Sequence, residues 1–256
     1  ETMGVVEAAM RGSNVSLRAT AALAVKCAIS TMATGQVGDA LATILPPLLE
    51  ALNDDNVSVR KATVQCISCF ARHRSELLKP FLGELLPILY QQTAKRMDLV
   101  RVVDLGPFKY SEDDGLDLRK GAFECMSHIL SAFAGEIDLL QFASHLPSGL
   151  RDHEDIKSLA NVIILQLASC AEVPSIVPCV GEILASLGEI LTHKPKANAV
   201  KQELERHEDA VRAALRSARA LRAVPAIAYT DEMIAFASRF LPEEGAPSSL
   251  KTDMEL

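Results

Sequence analysis

The sequence predicts an all-α solenoid, a stack of antiparallel helix pairs wound into a right-handed superhelix, with one inserted β-hairpin. Three observations carry this. Apolar residues make up 49% of the chain, yet aromatics only 4% and there is no Trp; small and medium aliphatics suit close helix-on-helix packing. A helix opening also recurs, in which a polar or acidic turn precedes an aliphatic residue, a base and an Ala-rich amphipathic run: Leu17-Arg18, Val59-Arg60, Leu118-Arg119, Ile156-Lys157 and Val211-Arg212. These openings follow one another at intervals of about 40 residues, enlarged in two units, which is the range of HEAT and armadillo arrays.

Periodicity and breakers predict helices near 14–33, 37–52, 56–72, 75–93, 115–134, 137–149, 154–171, 175–192, 198–224 and 228–240. A single helix pair cannot cover its apolar face, so the pairs must stack into one array, expected to span 1–241. In the second unit Pro46 is expected to bend the first helix, and Asp54 to accept hydrogen bonds where the next helix opens. Arg60 and Arg119, six residues after Asp54 and Asp113, are expected to hold acidic turns rather than touch partners. The first, fourth and fifth units lack an Asp at that offset, so no regular Asp/Arg ladder is expected there. The segment 242–256, with Pro, Gly, Ser and charges, reads as a disordered tail.

Two segments interrupt the repeat. From Lys95 to Asp114 the helical period gives way to Leu99-Val100-Arg101-Val102-Val103-Asp104-Leu105, then Gly106-Pro107, then Phe108-Lys109-Tyr110. β-Branched and aromatic residues about a Gly-Pro break predict a short hairpin, an insertion of about 96–113. In a strand Val100 and Val102 share one face while Leu99, Arg101, Val103 and Leu105 share the other, so one apolar face needs a cover. That cover is either the helix from Leu116 to Phe133 or a partner. The second departure, Lys194 to Glu203, is a basic turn leading into a charged helix; Lys194, Lys196 and Lys201 form either a contact patch or a solvated face.

The net charge of -7 argues against a nucleic-acid groove, which needs clustered Lys and Arg, and fits a basic partner surface better. No apolar run reaches about 18 residues without a charge or a break, and no basic stretch followed by an apolar core opens the chain. A soluble intracellular protein that engages no membrane is expected. Because the chain begins at Glu1, it is expected to be a piece of a longer one.

Catalytic chemistry finds no foothold. There is no GxSxG, P-loop or GxGxxG, and no enzyme activity, cofactor or metal is expected. Cys66 and Cys69 form C-I-S-C with His73 nearby, but no second CxxC accompanies them; all six cysteines, Cys27, Cys66, Cys69, Cys125, Cys170 and Cys179, read as small structural residues. His153-Glu154-Asp155 and His207-Glu208-Asp209 lack the second His of a zinc helix. Glu112 to Asp117 lacks the alternating ligands of a calcium loop and reads as an acidic helix start.

The residues that break the repeat, G-P-F-K-Y-S-E-D-D-G-L-D-L-R-K-G-A-F-E-C-M from Gly106 to Met126, closely resemble one family. So do Gly149 to Lys157 and Lys196 to Glu203. Together they look like the C-terminal end of the cullin-associated and neddylation-dissociated proteins, also described as TATA-binding-protein interacting proteins, with similarity from about Val5 to Phe240. Members of that family are several times longer. The resemblance implies a non-catalytic regulator of cullin-RING ubiquitin ligases, cytoplasmic and nuclear, whose C-terminal repeats lie against the N-terminal domain of a cullin carrying its RING subunit. A projecting hairpin there occupies the surface used by adaptor and substrate-receptor modules. By motif match its contact residues are Val102, Val103, Asp104, Leu105, Gly106, Pro107, Phe108, Lys109 and Tyr110, with Val103, Leu105 and Phe108 inserting into an apolar groove and Asp104 and Lys109 at its rim. A transport or phosphatase scaffold would share the repeat but is not expected to carry the stretch from Gly106 to Met126.

Overall fold

The computed structural model describes residues 2–31, 41–104, 106 and 109–241. The described helices are α1 (Thr2–Met10), α2 (Val15–Thr31), α3 (Leu45–Ala51), α4 (Val57–His73), α5 (Ser75–Leu78), α6 (Leu82–Gln91), α7 (Leu116–Phe133), α8 (Leu139–Ala143), α9 (Leu146–Leu150), α10 (Glu154–Ala168), α11 (Val177–Thr192), α12 (Lys201–Arg222), α13 (Pro225–Ala228) and α14 (Asp231–Phe240). Strands β1 (Val100–Asp104) and β2 (Lys109–Asp113) lie between α6 and α7. The predicted tail 242–256 lies outside the described residues.

The second helices of the units, α2, α4, α7, α10 and α12, pack successively against one another and form one layer. Phe70, Phe123, Phe142, Ile67 and Leu167 are fully enclosed in the core that runs through the stack. Each such side chain stabilises the array by about 1.5–3 kcal/mol. Polar residues fix where the helices start: Asn14, Asn56 and Asp138 accept from Ser16, Ser58 and Gln141 amides at 2.9, 2.9 and 3.0 Å. Glu203 does the same from inside α12, reaching back to the Val200 amide at 3.2 Å.

Several expectations need correcting. Prolines divide the first helices of the units more than periodicity suggested. The predicted 75–93 helix is split by the 3-10 turn Lys79–Phe81, which contains Pro80, and the 137–149 helix by a break ahead of Pro147. Pro46 does not bend a helix interior; it lies in the first turn of α3, where a missing donor costs no intrahelical bond. Asp54 does accept from the Asn56 amide at 2.9 Å, but the α4 cap is Asn56 itself. A ladder also exists where none was expected: Arg18 donates to both oxygens of Asp54 in the following unit at 2.7 and 3.0 Å.

Burial by apolar neighbours raises the Cys66 and Cys125 thiols far above their ordinary range, and raises Cys179 to about 11. These groups are protonated packing residues at neutral pH. Val173–Thr192 is long and apolar enough by composition to cross a membrane. Here Val180, Ile183, Leu184, Leu187 and Ile190 are buried in the stack, and Glu189 is held by Arg151 at 2.8 Å.

Candidate protein-binding site

The inserted hairpin is the element that the repeat does not explain. Its antiparallel register pairs Val100 with Asp113, Arg101 with Glu112, Val102 with Ser111, Val103 with Tyr110 and Asp104 with Lys109. Directly opposed residues share a face. One face therefore carries Val100, Val102, Asp104, Lys109, Ser111 and Asp113, and the other Arg101, Val103, Tyr110 and Glu112. Arg101 ties the second face together, meeting Glu112 at 3.2 Å and Asp114 at 2.7 Å.

The tip is shaped by Gly106, whose φ of 80° is open to glycine and strained for other L residues. Its amide donates to Asp104 Oδ1 at 3.0 Å. Asp104, expected as a rim contact, is thus committed to the turn. Leu105, Pro107 and Phe108 lie outside the described residues, as does the Lys109 side chain.

Val102 is 66% exposed and Tyr110 60%, on opposite faces of the hairpin, while Val100 and Val103 are half-buried. Val102 and Tyr110 are thus left uncovered by the α7 helix from Leu116 to Phe133, whereas Val100 lies close to Leu116 at its start. Met97, in the 3-10 turn Met97–Leu99 at the hairpin root, is also exposed, a neighbour that the sequence reading passed over.

The exposed hairpin stands on a buried root. Asp113, the last residue of β2, accepts from Arg119 Nη1 and Nη2 at 3.1 and 2.9 Å. The same guanidinium donates to both oxygens of Asp152, in the next unit, at 2.7 and 3.0 Å. Arg119 is only 2% exposed. Burial works against its charge, but the bonds to Asp152 and Asp113 more than compensate and hold it firmly protonated; Arg119 in turn pulls the Asp113 carboxyl below its ordinary value. The remaining acids of Glu112 to Asp117 are engaged too, Asp114 by Arg101 and Asp117 by Lys61. These carboxylates are taken up in charge pairs. The role of Asp152 was missed, although its place five residues before Lys157 echoes that of Asp54 before Arg60.

Arg60 shows what the insertion costs. By its place in the repeat its partner would be the acid of the next turn, Asp113, but that carboxylate is held by Arg119. Arg60 Nη1 donates to the Asp54 and Asp55 carbonyls at 2.7 and 3.2 Å, but Nε and Nη2 are buried without an acceptor among the described residues. Burial, with a smaller contribution from Arg96, accordingly lowers its pKa. Orphaned donors cost about 1–3 kcal/mol, comparable with the carbonyl bonds retained. Arg60→Met, which keeps the buried stem, is therefore expected to change stability by less than about 1 kcal/mol in thermal melts. A loss as large as that of an Arg119 variant would show that the two carbonyl bonds of Arg60 outweigh its orphaned donors.

Comparison with known proteins agrees with this anatomy. A family profile described as TATA-binding protein interacting (TIP20) matches residues 77–240, and a HEAT-like repeat profile matches 15–70. "Cullin-associated NEDD8-dissociated protein 2" of Mus musculus is 36% identical over 222 residues, covering 87% of this chain and 18% of its own length. "Cullin-associated NEDD8-dissociated protein 1" of Arabidopsis thaliana is 41% identical over 184 residues, with 71% of this chain and 15% of its own length covered. The Drosophila melanogaster protein of that name is 33% identical over 237 residues, with 92% and 19% covered. The chain thus spans less than a fifth of the length of these curated relatives. Among solved structures, a Kap95p–RanGDP structure superposes with a TM-score of 0.72 at 12% identity over 95% of this chain and 28% of that one. A designed armadillo repeat protein gives 0.58 at 19% identity, over 84% and 81%. These two show the solenoid fold and nothing finer.

Proposed function

Because the chain belongs to the TATA-binding protein interacting family, that of the cullin-associated NEDD8-dissociated proteins, and matches its C-terminal part, we propose that it is a non-catalytic scaffold acting on cullin-RING ubiquitin ligases. In this reading the array lies against the N-terminal region of a cullin carrying its RING subunit, in the cytoplasm and nucleus. The hairpin takes the place of an adaptor and so excludes or exchanges substrate-receptor modules.

One observation carries the reading: Val102 and Tyr110 stand exposed on a two-stranded element whose root is fixed through Asp113 to a buried arginine. A lone hairpin is marginally stable in water, and an anchored one with uncovered apolar groups suits insertion into a partner groove. Tyr110 supplies the kind of large amphipathic surface on which interfaces rely. Asp104 serves by fixing the turn, and Leu105, Pro107 and Phe108 are contacts in this reading by the family resemblance alone.

The test is to replace Val102–Tyr110 by a Gly-Ser linker and measure cullin binding with and without adaptor. Melting should stay close to that of the parent, because the anchor at Asp113 and Arg119 is retained. Adaptor and scaffold should then bind one cullin together. Undiminished competition by a folded variant would refute the hairpin as the excluding element.

A further inference from the structure

Several arginines in the array meet a carboxylate: Arg11, Arg18, Arg119 and Arg151 do so across units, and Arg96, Arg101 and Arg212 locally. Arg206, Arg216 and Arg219, all exposed on α12, have no ion pair among the described residues. They line one groove of about 1010 Å³ between α10 and α12.

The acids of this groove are already engaged. Glu154 holds Lys157 at 2.7 Å, Asp155 holds Lys120 at 3.0 Å, and Asp209 holds Arg212 at 2.6 Å. Asp155 lies near enough to feel the charge of Arg206, but its hydrogen bond goes to Lys120. Three positive charges therefore remain uncompensated on a chain whose net charge is -7. The groove wall is also fixed: Ser217 donates to Asn161 Oδ1 at 2.7 Å, and Asn161 Nδ2 donates to the Lys157 carbonyl at 2.9 Å, joining the two helices.

We propose that this groove binds an extended acidic segment of a second protein. Ala210 and Ala213 leave its α12 side low, giving a peptide backbone room between the guanidiniums. Arg206 and Arg219 are about 20 Å apart along the helix axis, the reach of about six extended residues. Arg216 and Arg219, one turn apart, would take neighbouring carboxylates, and Arg206 one at the far end. Nucleic acid fits less well, since acids are interleaved among the bases and no Phe, Tyr or Trp lines the groove for stacking. The site is separate from the hairpin and does not depend on its role.

The probe is a fluorescein-labelled hexaglutamate peptide, titrated by anisotropy into the full chain. It should bind in a salt-sensitive manner, and R216E/R219E should weaken it by about tenfold or more. R216Q/R219Q, which adds no repulsion, should weaken it less. R72E/K79E, an equal charge change outside the groove, should leave affinity within about twofold. Unchanged helical circular dichroism keeps these comparisons valid. Equal loss in R72E/K79E would reduce the binding to net charge, and equally tight binding of oligothymidylate to the same arginines would identify a phosphate site instead. A tenfold gain on deleting 242–256, which carries Glu243, Glu244, Asp253 and Glu255, would assign the groove to the chain's own segment. Each of these three results overturns the proposal.

Discussion

Replacing Arg119 with alanine is expected to destabilise the array by about 3–5 kcal/mol, because it strands two largely buried carboxylates without their shared partner. Arg119 is 2% exposed, and Asp113 and Asp152 are drawn in with it from the hairpin root and from the next unit. Against a typical domain stability of about 5–15 kcal/mol this is a large fraction. Arg119→Lys should recover only part, since an ammonium keeps the charge but cannot serve both carboxylates with a planar fork. Chemical denaturation reads the effect; a loss below about 1 kcal/mol for Arg119→Ala would mean that the two acids re-solvate freely and that the hairpin root is not held. The pH dependence has a definite sign. Arg119 depresses the Asp113 pKa, so its contribution is complete above the unfolded value of about 3.9 and is lost as pH falls through the lower folded value. The gap between parent and Arg119→Ala should therefore narrow in acid below about pH 4 rather than near neutrality.

Gly149→Ala is expected to cost about 2–3 kcal/mol, and Gly149→Val more. A Cβ at Gly149 would fall 2.5 Å from Phe123 Cζ and 2.6 Å from Cε1, with the Ala160 methyl at 3.3 Å on the other side. Phe123 is fully buried and cannot swing into solvent. Either α9 moves away from α7 or the ring leaves its rotamer, and both loosen the contact that sets Asp152 opposite Arg119. Phe123→Leu added to Gly149→Ala should restore part of the loss, since contacting sites are not additive. Purely additive melts would place the strain elsewhere.

The repeat and the hairpin were legible in the sequence because each rests on local periodicity. Aliphatic residues at helical spacing, with recurring Leu-Arg or Val-Arg openings, specify stacked helix pairs, and β-branched residues about Gly106 specify two strands. Observed helices depart from those read in sequence at Thr2–Met10, which was not predicted, at Pro80, where the chain takes a 3-10 turn, ahead of Pro147, where the helix breaks, and at Asn56, whose side chain rather than that of Asp54 caps the helix. The family, too, was readable, because the stretch from Gly106 to Met126 is the part that generic packing does not require.

What the sequence alone determined is the inventory: which residues are apolar, where chains of helix begin, and that a hairpin breaks the array. Only the tertiary structure decided who meets whom. Asp54 and Asp113 stand at the same offset before Arg60 and Arg119, yet only Arg119 bonds its acid's carboxylate, while two buried donors of Arg60 are left without an acceptor among the described residues. Asp54 serves Arg18 from the preceding unit, 36 residues away, and Arg119 reaches Asp152 33 residues on. The three unpaired arginines of α12 look, in sequence, like an ordinary charged face. They become a groove only because α10 packs beside them with its own acids already engaged. The physical reason is common to all of these: helical periodicity is fixed by bonds a few residues apart, whereas the partner of a long charged side chain is fixed by how one unit is laid against the next.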